Sequence, residues 1–148
     1  MTDIRALTVK QPWASLIVSG AKPVENRTWP IPGTWAARGP LLIHAGRGFD
    51  RMALLHPGLR EELEAQSWPD WELPSGAVVA VAREVACHRD GPGCCDSPYA
   101  EPHCWHWELT GVTELNEPVP AKGRLGLWRP SPELLADVEG QLAERNAA

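Results

Sequence analysis

The segment from Lys10 to Arg27 constrains the start of this chain more tightly than any other, because it fixes a short helix, its stop and the direction in which the chain leaves it. Pro12 suits the first helical position, where its missing N–H would have had no intrahelical acceptor. Trp13, Leu16 and Ile17 recur at the i, i+3, i+4 spacing that lays an apolar stripe on one helix face. Gly20 is the expected left-handed stop. Lys22, Glu25 and Arg27 then fall in an extended segment broken by Pro23, where alternation with period 2 sends Glu25 and Arg27 to the same side. Two cations and a carboxylate therefore emerge together beside a helix end.

The rest of the chain reads as short strands with helices at its flanks. Residues 4–9 alternate apolar and polar and predict a first strand. Residues 29–35 are a proline-punctuated loop or edge, and the continuous apolar run at 40–45 predicts a buried strand. Asp50 is placed to cap a helix carrying Met52, Leu54 and Leu55, which Pro57-Gly58 breaks; residues 59–66 resume as an acidic helical turn or two. Residues 76–87 form the strongest strand by their β-branched content, and 105–113 alternate as a half-buried one. Residues 118–120 read as a loop, and 123–128 as a last strand whose glycines suit close backbone approach. Ser131 then caps a terminal helix with the stripe Leu134, Leu135, Val138 and Leu142. Five or six short strands in this order predict an α+β fold around a small, mostly antiparallel barrel.

A length of 148 residues, without repeat or linker, fits a single domain spanning 1–148. No apolar run is long enough to span a bilayer, and no basic region precedes an apolar block at the start, so a soluble, cytoplasmic protein with no membrane partner is expected. The net charge of −5 argues against a broad, non-specific grip on nucleic-acid backbone. Its distribution is uneven. Residues 1–51 hold seven Lys and Arg against three Asp and Glu, a balance of +4, and the remainder hold seven against sixteen, a balance of −9. A local basic site on an acidic body and a merely solvated surface both fit that pattern. Most of the eight tryptophans are expected to pack, Trp13 as a helix anchor, with Trp29 a candidate cleft wall.

The string Gln-Pro-Trp-Ala-x-Leu-Ile-x-x-Gly-x-Lys-x-x-Glu-x-Arg-x-Trp, from Gln11 to Trp29, resembles the signature of the ASCH domain, a relative of the PUA domain. The resemblance continues at Leu42-Ile43-His44-Ala45 and at residues 122–128. It implies a PUA-like barrel with an N-terminal crossover helix and peripheral helices, the first helix and the segment after it lining a cleft. It also implies that Lys22, Glu25 and Arg27 face that cleft. Arg offers a planar fork and Lys a point charge to a phosphate or carbonyl oxygen, and Glu25 can accept from the exocyclic amine of a base. Some small bacterial members of this family are amidohydrolases that remove the acetyl group from acetylated cytidine with a Lys, a Thr and a Glu. Lys22 matches that lysine, but Glu25 stands where the threonine would be. Thr28 is at a different spacing, and Glu84 is only a positional candidate for the acid.

Other candidates extend the same surface. His44 ends a buried strand and reads equally as a core or a cleft residue. Arg47 lies between Gly46 and Gly48, which let backbone come close to a ligand phosphate. Lys122 and Arg124 flank Gly123. The expected function is therefore a binding module whose cleft, formed by Lys10, Lys22, Glu25, Arg27, His44, Arg47, Lys122 and Arg124, takes a nucleotide of RNA or other single-stranded nucleic acid. The alternative is an amidohydrolase acting on an acylated nucleoside, with Lys22 and Glu25 catalytic. A third reading, a protein-interaction domain using exposed indoles, has only the tryptophan count behind it. No cofactor is expected beyond a structural zinc. Cys87, Cys94, Cys95 and Cys104, with His88, His103 and His106, crowd an insertion at about 87–106 and supply enough soft ligands for a tetrahedral site. No Cys-x-x-Cys pair occurs, so reduced thiols and loop histidines fit as well.

Overall fold

The computed structural model describes residues 3–65 and 73–147. In chain order these form β1 (Arg5–Gln11), α1 (Trp13–Ser19), β2 (Val24–Arg27), β3 (Leu41–Phe49), α2 (Leu59–Ala65), β4 (Ala77–Arg89), β5 (Trp105–Pro120), β6 (Leu127–Trp128) and α3 (Pro132–Ala147), with a 3-10 turn at Arg51–Leu55. Gln66, Trp68 and Trp71 lie outside the described residues.

The strands make a six-stranded sheet in the order β2-β5-β4-β3-β1-β6. Every neighbouring pair is antiparallel except β1 with β3. A connection between parallel strands needs a crossover, and the chain makes it through α1 and β2. The expected barrel is corrected here: β2 and β6 are the two ends of the sheet, and no backbone ladder joins them. The sheet is nonetheless strongly curled. Arg27 on β2 reaches the Thr8 carbonyl on β1 at 2.9 Å, so side chains span the seam that hydrogen-bonded strands would have closed.

One apolar cluster fills the concave side and joins α1 (Ala14, Ile17) to Leu7, Ile43, Ala80 and the fully buried Trp35 and Trp107. A second packs α3 (Leu134, Val138) onto Leu42, Val78, Val81 and Trp128. Gly20 and Ser131 form their helix ends as the sequence predicts, Gly20 left-handed at φ 87° and Ser131 Oγ accepting from the Leu134 N–H, whereas Pro12 is the cap before α1 and not its first residue. Asp50 also caps its turn, accepting from Met52 N. That turn is 3-10, however, and at three residues per turn Met52 and Leu55 share an outward face while Ala53 is buried. Residues 118–120, expected as a loop, belong to β5, with Val119 opposite Val78 and Pro120 opposite Ala77. Because β2 pairs only with Trp105 to Glu108, no strand among the described residues flanks the outer edge of the far half of β5, where proline's missing donor is tolerated.

Candidate functional site

The seam of the curled sheet opens into a cleft of about 420 Å³ between β1, α1 and β2, within the range of ligand pockets. Its floor is an ion-pair network. Lys22, only 2% exposed, donates from Nζ to Glu25 Oε1 at 2.8 Å and to the Val24 carbonyl at 2.7 Å. The other carboxylate oxygen of Glu25 lies 2.9 Å from Arg27 Nη2. Burial is the largest influence on Glu25 and pushes its pKa up, but the Lys22 and Arg27 cations together outweigh it and hold the carboxyl below its ordinary range. Glu25 is thus a fixed anion with both oxygens engaged, suited to accepting hydrogen bonds and weak as a proton acceptor.

The walls arise from local geometry. Trp13 is half-buried, donates from Nε1 to Asp50 Oδ2 at 2.8 Å and stands edge-on to Tyr99 with ring centres 5.8 Å apart. The Lys22 ammonium sits 5.6 Å from the Trp13 ring centre. Trp13 is therefore both helix anchor and cleft wall. Trp29 is not a wall; partly buried, it packs against the core, edge-on to Trp107 at 4.9 Å. Asn26 holds the opposite wall, donating from Nδ2 to the Tyr99 carbonyl at 2.8 Å and accepting at Oδ1 from the Glu101 N–H at 3.0 Å. No motif in the sequence singles out Tyr99, Asn26 or Glu101. Asn26 is legible in principle, since alternation along β2 puts it on the face opposite Glu25, toward the β4–β5 loop.

A second, shallower hollow of about 870 Å³ adjoins the first, and the two share Thr8, Arg124 and Leu125. Lys10, Lys22, Glu25, Arg27 and Arg124 line the first; His44, Arg47, Lys122 and Arg124 line the second. Arg47 arrives there through a bulge. Val9 pairs with Ala45 and Gln11 with Phe49, so Gly46-Arg47-Gly48 bows out of β3 opposite Lys10. Gly46 is needed for packing against β1, because a Cβ there would come within 3.0 Å of the Thr8 methyl. His44 is buried, donates from Nε2 to the Ala121 carbonyl at 2.7 Å, and leaves Nδ1 as a buried atom without a protein partner. Gly123 lies over it, where a Cβ would sit 2.8 Å from His44 Cε1 and 2.9 Å from Thr8 Oγ1. Lys10, Arg47, Lys122 and Arg124 are exposed and form no ion pair among the described residues. Leu125, 98% exposed, stands on the ridge between the hollows.

The remaining candidates for hydrolysis do not join this site. Glu84 projects from β4 into solvent, 4.0 Å from Arg83, and Thr28 is exposed beyond the end of β2. The Thr8 hydroxyl does face the cleft, but it accepts from Trp128 Nε1 at 3.1 Å.

The four cysteines do not come together. Cys87 lies in β4 opposite Trp107 and packs on the core, and Cys104 is buried with its thiol donating to the Glu101 carbonyl at 3.3 Å. His88, Cys94, Cys95 and His106 instead converge, their ligand atoms all within 4.8 Å of one another. Burial first, and the neighbouring Cys94 next, push the Cys95 thiol up to about 11. The insertion is thus the distal end of the β4–β5 hairpin, with 90–104 as its loop.

The fold is a curled α+β sheet with a charged hollow of ligand-pocket size at its seam. The ASCH domain profile matches residues 7–118, and the chain belongs to the ASCH domain family. Among solved structures it is similar to the ASCH protein from Zymomonas mobilis at 13% identity and a TM-score of 0.54, covering 93% of this chain and 94% of that one. A tyrosine-to-phenylalanine mutant of the same protein gives 13% identity, a TM-score of 0.53 and coverage of 93% and 97%. At that identity the likeness speaks for the fold alone. No curated protein matches the sequence. Among the described residues no helix is long and apolar enough to cross a membrane.

Proposed function

We propose that the chain binds single-stranded nucleic acid, RNA or DNA, with one base in the cleft at the seam and the adjoining phosphates along the second hollow. The observation that carries this reading is the continuity of the two hollows, which gathers four unpaired cations beside an anion fixed by the buried Lys22 and the partly buried Arg27. Glu25 and Asn26 supply acceptor and donor for a base edge, Trp13 and Tyr99 supply aromatic walls, and Leu125 offers an apolar contact for a second base. Lys10, Arg47, Lys122 and Arg124 supply the salt-dependent phosphate contacts. The net charge of −5 then limits binding to this track.

Titration with short labelled RNA and DNA strands at two salt concentrations tests the reading. Affinity falls with salt and weakens about tenfold or more at low salt when Lys10 and Arg124 are both replaced by Ala; absence of binding to either strand at low salt contradicts it. The geometry favours hydrolysis of an acylated nucleoside less, because both Glu25 oxygens are held by cations and neither Thr28 nor Glu84 reaches the cleft. Release of cytidine from acetylated cytidine, absent in Lys22→Ala, would replace the binding reading with that one.

A further inference from the structure

We propose that His88 Nε2, Cys94 Sγ, Cys95 Sγ and His106 Nδ1 form a tetrahedral site for one zinc ion, which fixes the loop at residues 90–104 against the cleft. His88 and His106 are cross-strand partners in the β4–β5 register, so their side chains leave the same face of the sheet. The loop folds back over that pair and delivers two consecutive thiols. His106 Nδ1 lies 3.2 Å from His88 Nε2, 3.3 Å from Cys95 Sγ and 3.5 Å from Cys94 Sγ, and Cys95 Sγ lies 3.3 Å from His88 Nε2. A tetrahedral zinc with bonds of about 2.3 Å to sulfur and about 2.05 Å to nitrogen places N···N at about 3.3 Å and S···N at about 3.6 Å. These four separations follow that pattern, the nitrogens closest and the sulfurs slightly further out, and all four ligand atoms lie within 4.8 Å of one another.

The outer partners point the same way. His106, 1% exposed, donates from Nε2 to the Glu101 carbonyl at 2.6 Å, which leaves its Nδ1 lone pair facing the thiols. His88 Nδ1 lies 3.8 Å from Glu108 Oε2, so its Nε2 faces inward. Two imidazoles, that of His106 oriented from behind by the Glu101 carbonyl, and two thiols are a donor set selective for zinc over the hard cations. Asp90 stands just outside, 3.6 Å from Cys94 Sγ, and adds negative charge to the site.

The position of the cluster gives the metal a consequence. Asn26 of β2 is hydrogen-bonded to the main chain of Tyr99 and Glu101, and Glu101 in turn holds His106. A zinc ion clamping Cys94 and Cys95 to β4 and β5 therefore orders both ends of the segment that forms a wall of the cleft.

Elemental analysis of the full chain purified without chelator is expected to give one zinc per chain. Titration of the reduced, metal-free chain with Co²⁺ is expected to give the intense visible bands of a tetrahedral thiolate site. Cys94→Ser and Cys95→Ser should each retain well below one equivalent after dialysis against a weak chelator, and Cys87→Ser should keep the full equivalent. Metal-free chain must also be cut faster by protease within residues 90–104. The proposal is overturned by sub-stoichiometric metal in protein made in zinc-supplemented medium together with no tetrahedral cobalt spectrum. Loss of metal in Cys87→Ser as complete as in Cys95→Ser overturns it too, as does a Cys94–Cys95 disulfide in freshly purified chain. The cobalt titration uses the unaltered sequence, so it stands even if a substituted chain fails to fold.

Discussion

Arg27 on β2 donates to the main-chain carbonyl of Thr8 on β1 at 2.9 Å, although β5, β4 and β3 stand between those two strands in the sheet. The same Nη2 lies 2.9 Å from Glu25 Oε2, so one guanidinium ties the sheet's seam to the charged floor of the cleft. Fold closure and ligand site are therefore the same place, and substitutions there act on both.

Arg27→Lys keeps the charge but loses the guanidinium whose Nη2 reaches a carboxylate and a carbonyl together. Equilibrium urea unfolding is expected to show a loss of about 1–3 kcal/mol. An unchanged unfolding midpoint would mean that the seam contact contributes nothing to closure.

Removing the anion should cost more than removing one cation. Glu25→Ala leaves the Lys22 ammonium buried without its counter-ion, for which a loss of about 3–5 kcal/mol is expected. Lys22→Met preserves the Glu25–Arg27 pair and a similar side-chain length, so its loss should be distinctly smaller. Thermal or urea unfolding of the two variants gives the order directly.

The lowered pKa of Glu25 has a defined sign in stability. Its folded value lies below the ordinary 4.5, so as pH falls the unfolded chain takes up this proton first. The stabilisation is whole above the ordinary carboxylate range and drains away as pH drops through the folded value. Unfolding free energies followed from pH ~6 to pH ~3 should fall less steeply in Glu25→Gln than in the unaltered chain. Asp3 and Asp90 shift in the same direction in both, so the difference between the two curves isolates Glu25.

Much of this arrangement is legible in the residues. The spacing of Trp13, Leu16 and Ile17, the stop at Gly20 and the same-side placement of Glu25 and Arg27 are local consequences of helix and strand periodicity, and all three form as read. Alternation cannot show that Lys22 and Glu25 are buried, because burial depends on how far the sheet curls and on what Tyr99, remote in sequence, lays over the cleft. The cluster of soft ligands differs from the four-cysteine expectation for a related reason. The cysteine pattern draws attention to four sulfurs, but Cys87 alternates with His88 along β4, and only one of the two can face the loop. The cross-strand pairing of His88 with His106 is a register fact, and register is set by the whole hairpin.

Gly123 tests the second hollow. A methyl there would meet His44 and Thr8 below 3.0 Å, and Thr8 is held by Trp128, so Gly123→Ala should destabilise by about 1–3 kcal/mol and weaken strand binding. Leu125→Asp, at a fully exposed position, should weaken binding and leave the unfolding midpoint unchanged. Equal binding by both variants would remove the second hollow from the ligand's path.

Affinity for a short single strand, measured as a function of salt in the unaltered chain and in the Lys10→Ala/Arg124→Ala variant, tests the central claim most directly. Both residues are exposed, so the variant keeps its fold, which circular dichroism verifies. The expected result is a linear fall of log affinity with log salt, with the variant about tenfold or more weaker at low salt and its slope reduced by about two contacts. Identical curves for the two proteins, or no binding by either, would contradict it.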